Sequence, residues 1–196
     1  MDTTEQGIIK NNVQTYGLTN GVCGGENLIH SQKTIGGLEN IFVDETARKA
    51  MDQNEVVYRV EAYFPVAEGT EAGLFFGTSR INPGKVGDEY YMTQGHFHQK
   101  PDRGEFYWGI KGEGVLLLMD SERNTRAEKV FAGSLHYIPG FTGHRLVNTG
   151  SEELTVGACW PSDAGHNYGD IRKTGFSKGV FNRNGVPTLE VIEKNK

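Results

Sequence analysis

The sequence is poor in cysteine: Cys23 and Cys159 stand far apart, without the close-spaced partner that a zinc knuckle or a redox pair needs. No disulfide is expected to organise the fold. Long apolar runs are missing too. Hydrophobic residues make up 36% of the chain, and no run approaches the roughly 20 apolar residues that cross a bilayer as a helix. A soluble protein without a membrane partner is expected. The first residues, Met1 to Gly7, lack a basic stretch followed by an apolar one, which argues against a secretory signal and for a cytoplasmic location. Clusters of Lys and Arg are also absent and the net charge is −5. That removes the electrostatic basis for nucleic-acid binding and leaves a small molecule as the expected partner.

What is abundant is glycine, 27 residues spread along the chain without a repeat, which suits the many tight turns of an all-β barrel or sandwich. At 196 residues one domain is expected. A single helix of two or three turns is predicted at Val43 to Met51: Asp44 can cap free N–H groups, Glu45 sits in the first turn and Lys49 follows four residues later. After it come runs rich in β-branched and aromatic residues, bounded by Gly, Pro and Asn. They cover 56–64, 73–81, 89–97, 105–111, 114–119, 127–131, 135–138, 144–148 and 154–160. Short connections without intervening helices favour antiparallel hairpins over βαβ units. The predicted fold is an all-β double-sheet jelly roll, a cupin barrel, with an N-terminal arm and one short helix.

Chemistry concentrates in Gly95-His96-Phe97-His98, in Glu105, and in His144. Side chains alternate along a strand, so His96 and His98 share a face. The turn through 100–104 would return Glu105 beside them. Three imidazoles and one carboxylate suit a divalent first-row metal, Fe or Mn in the first place and Ni or Zn as alternatives, with open positions for water or substrate. His-X-His alone is as compatible with two unliganded histidines. The wider pattern is more specific: His96 to Gly112 resembles the first cupin motif, and Gly133, Pro139, His144 and Asn148 resemble the second. Two departures stand out. Six residues separate His98 from Glu105 where most cupins have three or four, and Phe141 stands where the second motif usually has Gly.

The longer insertion resembles that of cupin-type phosphoglucose isomerases, as do residues 83–87, 95–100, 102–105 and 111–114, and the stretches 161–171 and 173–178 resemble that family's C-terminal signature. The resemblance runs from about Phe42 to Gly185, giving an arm with edge strands at 1–41, a barrel with the isomerase signature at 42–185, and a C-terminal strand and tail at 186–196, frayed from Lys194. It implies a metal-dependent interconversion of glucose 6-phosphate and fructose 6-phosphate, in glycolysis and gluconeogenesis, by a homodimer. His96, His98, Glu105 and His144 would hold the metal. Glu105 would shuttle a proton between C1 and C2 through a cis-enediolate, unless a direct hydride shift makes a base unnecessary. Ser79, Thr93, Gly95 and Tyr168 map to phosphate contacts, although Ser or Thr on a half-exposed strand is often only a good β-former. Trp160 stands where relatives can have a tyrosine, and an indole N–H could replace its hydroxyl. Tyr107, on the face of Glu105, and Tyr58 map near the sugar, with His166 as a further contact. His30 and His136 fit no motif, and His136 is read as structural. Competing readings are a cupin dioxygenase, a non-catalytic sugar-phosphate-binding cupin, and an isomerase acting on mannose 6-phosphate.

Overall fold

Alternation of apolar and polar residues, interrupted by glycine turns, produces strands that pair only with antiparallel neighbours. In the computed structural model, residues 14–192 are described, together with two short backbone segments, β1 (Thr3–Thr4) and β2 (Ile8–Ile9), which pair with each other. The predicted frayed tail from Lys194 and positions 1–2, 5–7 and 10–13 of the predicted arm lie outside the described residues, while the rest of the arm supplies the short strands before α1. The chain continues through β3 (Thr15–Tyr16), β4 (Cys23–Gly24), β5 (Leu28–Thr34), a 3-10 turn (Gly36–Leu38), α1 (Glu45–Ala50), β6 (Val56–Tyr63), β7 (Leu74–Ile81), β8 (Lys85–Val86) and β9 (Glu89–Tyr90). Then come β10 (Glu105–Lys111), β11 (Glu113–Met119), β12 (Thr125–Phe131), β13 (Leu135–Ile138), β14 (Gly143–Asn148), β15 (Leu154–Pro161), α2 (Gly169–Thr174), β16 (Lys178–Arg183) and β17 (Val186–Val191).

The long strands form a six-stranded sheet in the order β13-β10-β15-β7-β6-β5 and a three-stranded sheet in the order β12-β11-β14. A four-stranded sheet, β17-β16-β9-β8, adds the C-terminal hairpin. One buried cluster joins these layers: Val57 and Ile81 from the larger sheet, Leu116, Leu118 and Leu146 from the smaller, and Val180 from the third. Fully burying each such side chain contributes about 1.5–3 kcal/mol. β14 is buried along its whole length, which makes it a rigid support for His144. Cys23 and Cys159 are both free.

Three local expectations need correction. The first helix spans only Glu45–Ala50. Asp44 caps it by accepting the Ala47 N–H at 2.8 Å, but the Gln53 side chain donates to the carbonyls of Arg48 and Met51 and closes the helix early. A second helix, α2, was not predicted. It begins at a glycine and is only six residues long, too short for apolar periodicity to show. The predicted strand 89–97 is one only at Glu89–Tyr90; beyond it the chain touches its neighbours through isolated bridges at Met92, His96 and Phe97. Gly95 breaks the run with φ +75°, a conformation open to glycine, and a Cβ there would meet the His144 carbonyl oxygen at 2.9 Å.

Candidate active site

The irregular 91–98 segment is what brings the histidines together. His96 and His144 exchange backbone hydrogen bonds, His96 N–H to the His144 carbonyl at 3.2 Å and His144 N–H to the His96 carbonyl at 3.0 Å. Residues paired in this way project side by side, and the two rings lie 4.3 Å apart. The His98 ring is 5.6 Å from His96 and 5.3 Å from His144. Glu105, the first residue of β10, completes the group: its Oε1 lies 2.7 Å from His144 Nε2 and its Oε2 3.9 Å from His98 Nε2. One ligand atom from each of the four residues falls within 4.8 Å of all the others.

Hydrogen bonding shows what this cluster is suited to hold. His98 Nδ1 contacts the Arg103 carbonyl at 2.7 Å and His144 Nδ1 the Thr142 carbonyl at 3.3 Å. A carbonyl only accepts, so both Nδ1 atoms carry the proton and both Nε2 atoms present a lone pair. Nε2 of His96, His98 and His144, and Oε1 of Glu105, are buried and have no hydrogen-bond partner among the described residues. Leaving such an atom unsatisfied costs about 1–3 kcal/mol. Burial also pulls the His96 and His98 imidazoles below their usual range, and for His96 the neighbouring histidines add to it, so they stay neutral. Neutral imidazoles and a carboxylate, all unsatisfied and turned to one point, fit a divalent first-row cation.

The six-residue insertion has its own anchor. Asp163 Oδ1 and Oδ2 accept from Arg103 Nε at 3.0 Å and Nη2 at 2.9 Å, and Lys100 Nζ donates to Oδ2 at 2.8 Å. These bonds hold the Asp163 carboxyl well below the usual carboxylate range. They fix the Arg103 carbonyl, which in turn orients His98. The C-terminal signature therefore clamps the loop between two metal-ligand positions, a role that nothing in its spacing reveals. Phe141, at the usual glycine of the second motif, has φ +61°. The backbone conformation is thus the one that glycine favours, held here by a bulkier residue.

A cavity of about 230 Å³ opens beside the cluster and is lined by His96, Glu105 and His144. Among the residues singled out from the sequence, it is also lined by Tyr107, Tyr58, Ser79, Thr93 and Gly95. Trp160, His166 and Tyr168 complete the wall. Trp160 lies over Gly77, where a Cβ would come within 3.1 Å of the indole. His166 stacks on Tyr168 with an interplanar angle of 6° and its ring is 4.4 Å from that of His96. Burial raises the Tyr107 phenol well above its usual value, with Glu105 adding to it, and pushes Tyr58 up to about 12, so both remain O–H donors. The Thr93 hydroxyl oxygen accepts the Leu146 N–H at 3.1 Å and keeps its proton to donate.

Lys33 was missed. It reaches the cavity from β5, where Ile29, Ser31 and Lys33 alternate onto the same face; the segment lacks the apolar alternation that would have revealed a strand. Two other histidines lie outside the cluster. His136 bonds Glu128 at 2.8 Å and Ser134 at 2.9 Å. His30 lines a separate hollow on the six-stranded sheet with Arg59, Glu61 and Arg80, away from the metal-ligand cluster.

An antiparallel jelly roll with three imidazoles and a carboxylate converging in its interior is a metal-binding cupin. Within that class the sequence is specific: the family model for Glucose-6-phosphate isomerase (GPI) matches residues 32–193, and the chain belongs to this family. A glucose-6-phosphate isomerase of Thermococcus kodakarensis is 42% identical over 154 residues, covering 78% of this chain and 80% of the relative. One of Pyrococcus furiosus is 41% identical, covering 79% and 82%; one of Sinorhizobium medicae is 42% identical, covering 74% and 68%. Among solved structures, an oxalate oxidase bound to glycolate matches with TM-score 0.44 and 14% identity over 74% of this chain and 56% of its own. An oxalate decarboxylase of Bacillus subtilis matches with TM-score 0.43 and 22% identity over 56% and 26%. Both are too distant to bear on chemistry.

Proposed function

We propose that this chain interconverts glucose 6-phosphate and fructose 6-phosphate. The observation that carries the reading is that a cluster of four unsatisfied ligand atoms borders, through His96, Glu105 and His144, a cavity walled by hydroxyl and N–H donors. A divalent ion held by His96, His98, Glu105 and His144 would supply electrophilic stabilisation of negative charge on the sugar oxygens. The protein does the rest. Ser79 and Thr93 donate hydroxyl protons to the phosphate, Gly95 its backbone N–H, and Tyr168 its phenol; the Trp160 indole N–H extends that set. With the phosphate fixed, C1 and C2 of the open chain lie against Glu105 and Tyr107. Glu105 takes the C2 proton and returns it to C1 through a cis-enediolate, and Tyr107, kept protonated by burial and by the charge of Glu105, donates to the sugar oxygens. Tyr58 and His166 orient the chain. Fe or Mn as the metal, a homodimer paired through N-terminal and barrel-edge strands, and a cytoplasmic location go with this reading. The mannose 6-phosphate epimer shares the enediolate and is a side substrate.

The test is isomerisation by chelator-stripped protein, with Fe, Mn, Ni or Zn restored one at a time. Activity should vanish on stripping and return with metal. Glu105→Gln should retain metal and lose about 10²–10⁴ in kcat; a folded, metal-loaded wild-type protein without turnover would refute the proposal.

A further inference from the structure

We propose that Arg145 supplies the fixed positive charge of the phosphate subsite, acting as a positioning residue behind the 93–95 segment rather than as a direct contact. The inference rests on the isomerase reading and adds a residue to it. Arg145 is the bulkiest fully buried side chain among the described residues, with 1% of its surface exposed. Its Nε and Nη2 both donate to the Gln94 carbonyl, at 3.2 and 2.7 Å, and the guanidinium lies 4.6 Å from the centre of the Phe176 ring. A Cβ at Gly95 would stand 3.1 Å from the Arg145 Cβ. The guanidinium is thus packed directly against the backbone that separates it from the cavity.

Among the described residues no carboxylate forms an ion pair with it. Glu89 is the acid that influences it most, but its Oε2 is committed to the Val43 N–H at 2.8 Å and its Oε1 has no partner. A buried guanidinium without an ion pair is expensive to desolvate and rare in folded proteins. It becomes favourable when an anion arrives on the far side of a thin, low-dielectric wall. In the proposed reaction the one group of stable negative charge is the phosphate, whose donors Thr93 and Gly95 flank Gln94. By drawing on the Gln94 carbonyl, the guanidinium also holds those two donors in place and polarises the peptide between them.

The experiment compares Arg145→Gln, which can still donate to the Gln94 carbonyl but is neutral, with Arg145→Lys, which keeps the charge. On metal-loaded protein, KM and kcat for glucose 6-phosphate and the inhibition constant for inorganic phosphate would be measured, with folding checked by thermal melting. Arg145→Gln should raise KM and the phosphate inhibition constant by about tenfold each, with kcat within about threefold, and Arg145→Lys should restore both. A phosphate inhibition constant unchanged in Arg145→Gln, or a folded Arg145→Lys that fails as badly, would overturn the assignment. If Arg145→Gln does not fold, Glu89→Gln serves instead: with the offsetting carboxylate removed, phosphate should bind about threefold more tightly above neutral pH, and an unchanged or weaker affinity would overturn it. Wild-type protein that binds phosphate but turns over no sugar phosphate would refute the isomerase reading while leaving the subsite standing.

Discussion

His136 and the histidines of the 96–144 cluster, half-buried at His96 and buried at His98 and His144, differ in hydrogen bonding. His136 has both ring nitrogens occupied, one by Glu128 and one by Ser134. In the 96–144 cluster, His98 and His144 are tied through Nδ1 to carbonyls, and every Nε2 is left without a partner. Both sites follow the same rule, that a buried polar atom must be satisfied. At His136 the protein satisfies it with its own groups, so the histidine is part of the fold. In the cluster the protein orients the ligands and leaves the last bond to something else, which is the physical difference between a structural histidine and a ligand.

That contrast predicts a graded series. The largest effect is expected in the cluster: His144→Ala should lower metal content and reduce isomerisation by on the order of a thousandfold, with metal measured by emission spectroscopy beside the rate. A variant that keeps both would erase the distinction drawn above.

Glu89 sharpens the comparison, because among the described residues its Oε1 is also buried without a partner and yet no other ligand converges on it. Here the missing partner is a proton: burial, opposed by the Val43 N–H and Arg145, pushes the carboxyl up to about 7 from 4.5. A raised acid binds a proton in the folded state where the unfolded chain has lost it, so stability falls as pH rises from about 4.5 to about 7 and is level beyond. The loss is on the order of 3 kcal/mol. Urea unfolding across that range should show the decline in the wild type and a flatter profile in Glu89→Gln. Parallel profiles would mean that Glu89 is paired after all.

His136→Leu is the converse test. It should lose about 1–3 kcal/mol of stability in urea, because Glu128 and Ser134 lose their partner, while metal content and kcat stay within about twofold. A large fall in activity at unchanged stability would make His136 a functional group. The smallest effect is expected at Ser79→Ala, with KM raised about three- to tenfold and kcat preserved, equivalent to one hydrogen bond of about 0.5–1.5 kcal/mol. An unchanged KM would remove Ser79 from the phosphate set.

How much of this was legible in the sequence depended on the range of the signal. Strands such as Glu105–Lys111 and Leu135–Ile138 were read to the residue because alternation and flanking glycines are local. The four metal-ligand positions followed from two motifs whose spacing is itself a record of the barrel. The short α2, with no apolar period, and β5, with no alternation, left little to read. Reading 89–97 as one strand was wrong because Gly95 takes φ +75° to fit against His144, a demand set by a residue 49 positions later.

By itself the sequence determined the all-β class, the four residues of the candidate metal cluster and the family resemblance, since each is written in residue types at fixed spacing. Only the tertiary structure decided that Asp163 clamps the loop between His98 and Glu105, that Lys33 reaches the cavity from an edge strand, and that Arg145 lies behind Gln94 without an ion pair among the described residues. Those facts come from pairings between distant strands, and the electrostatics of a buried group depends on what the completed fold places around it.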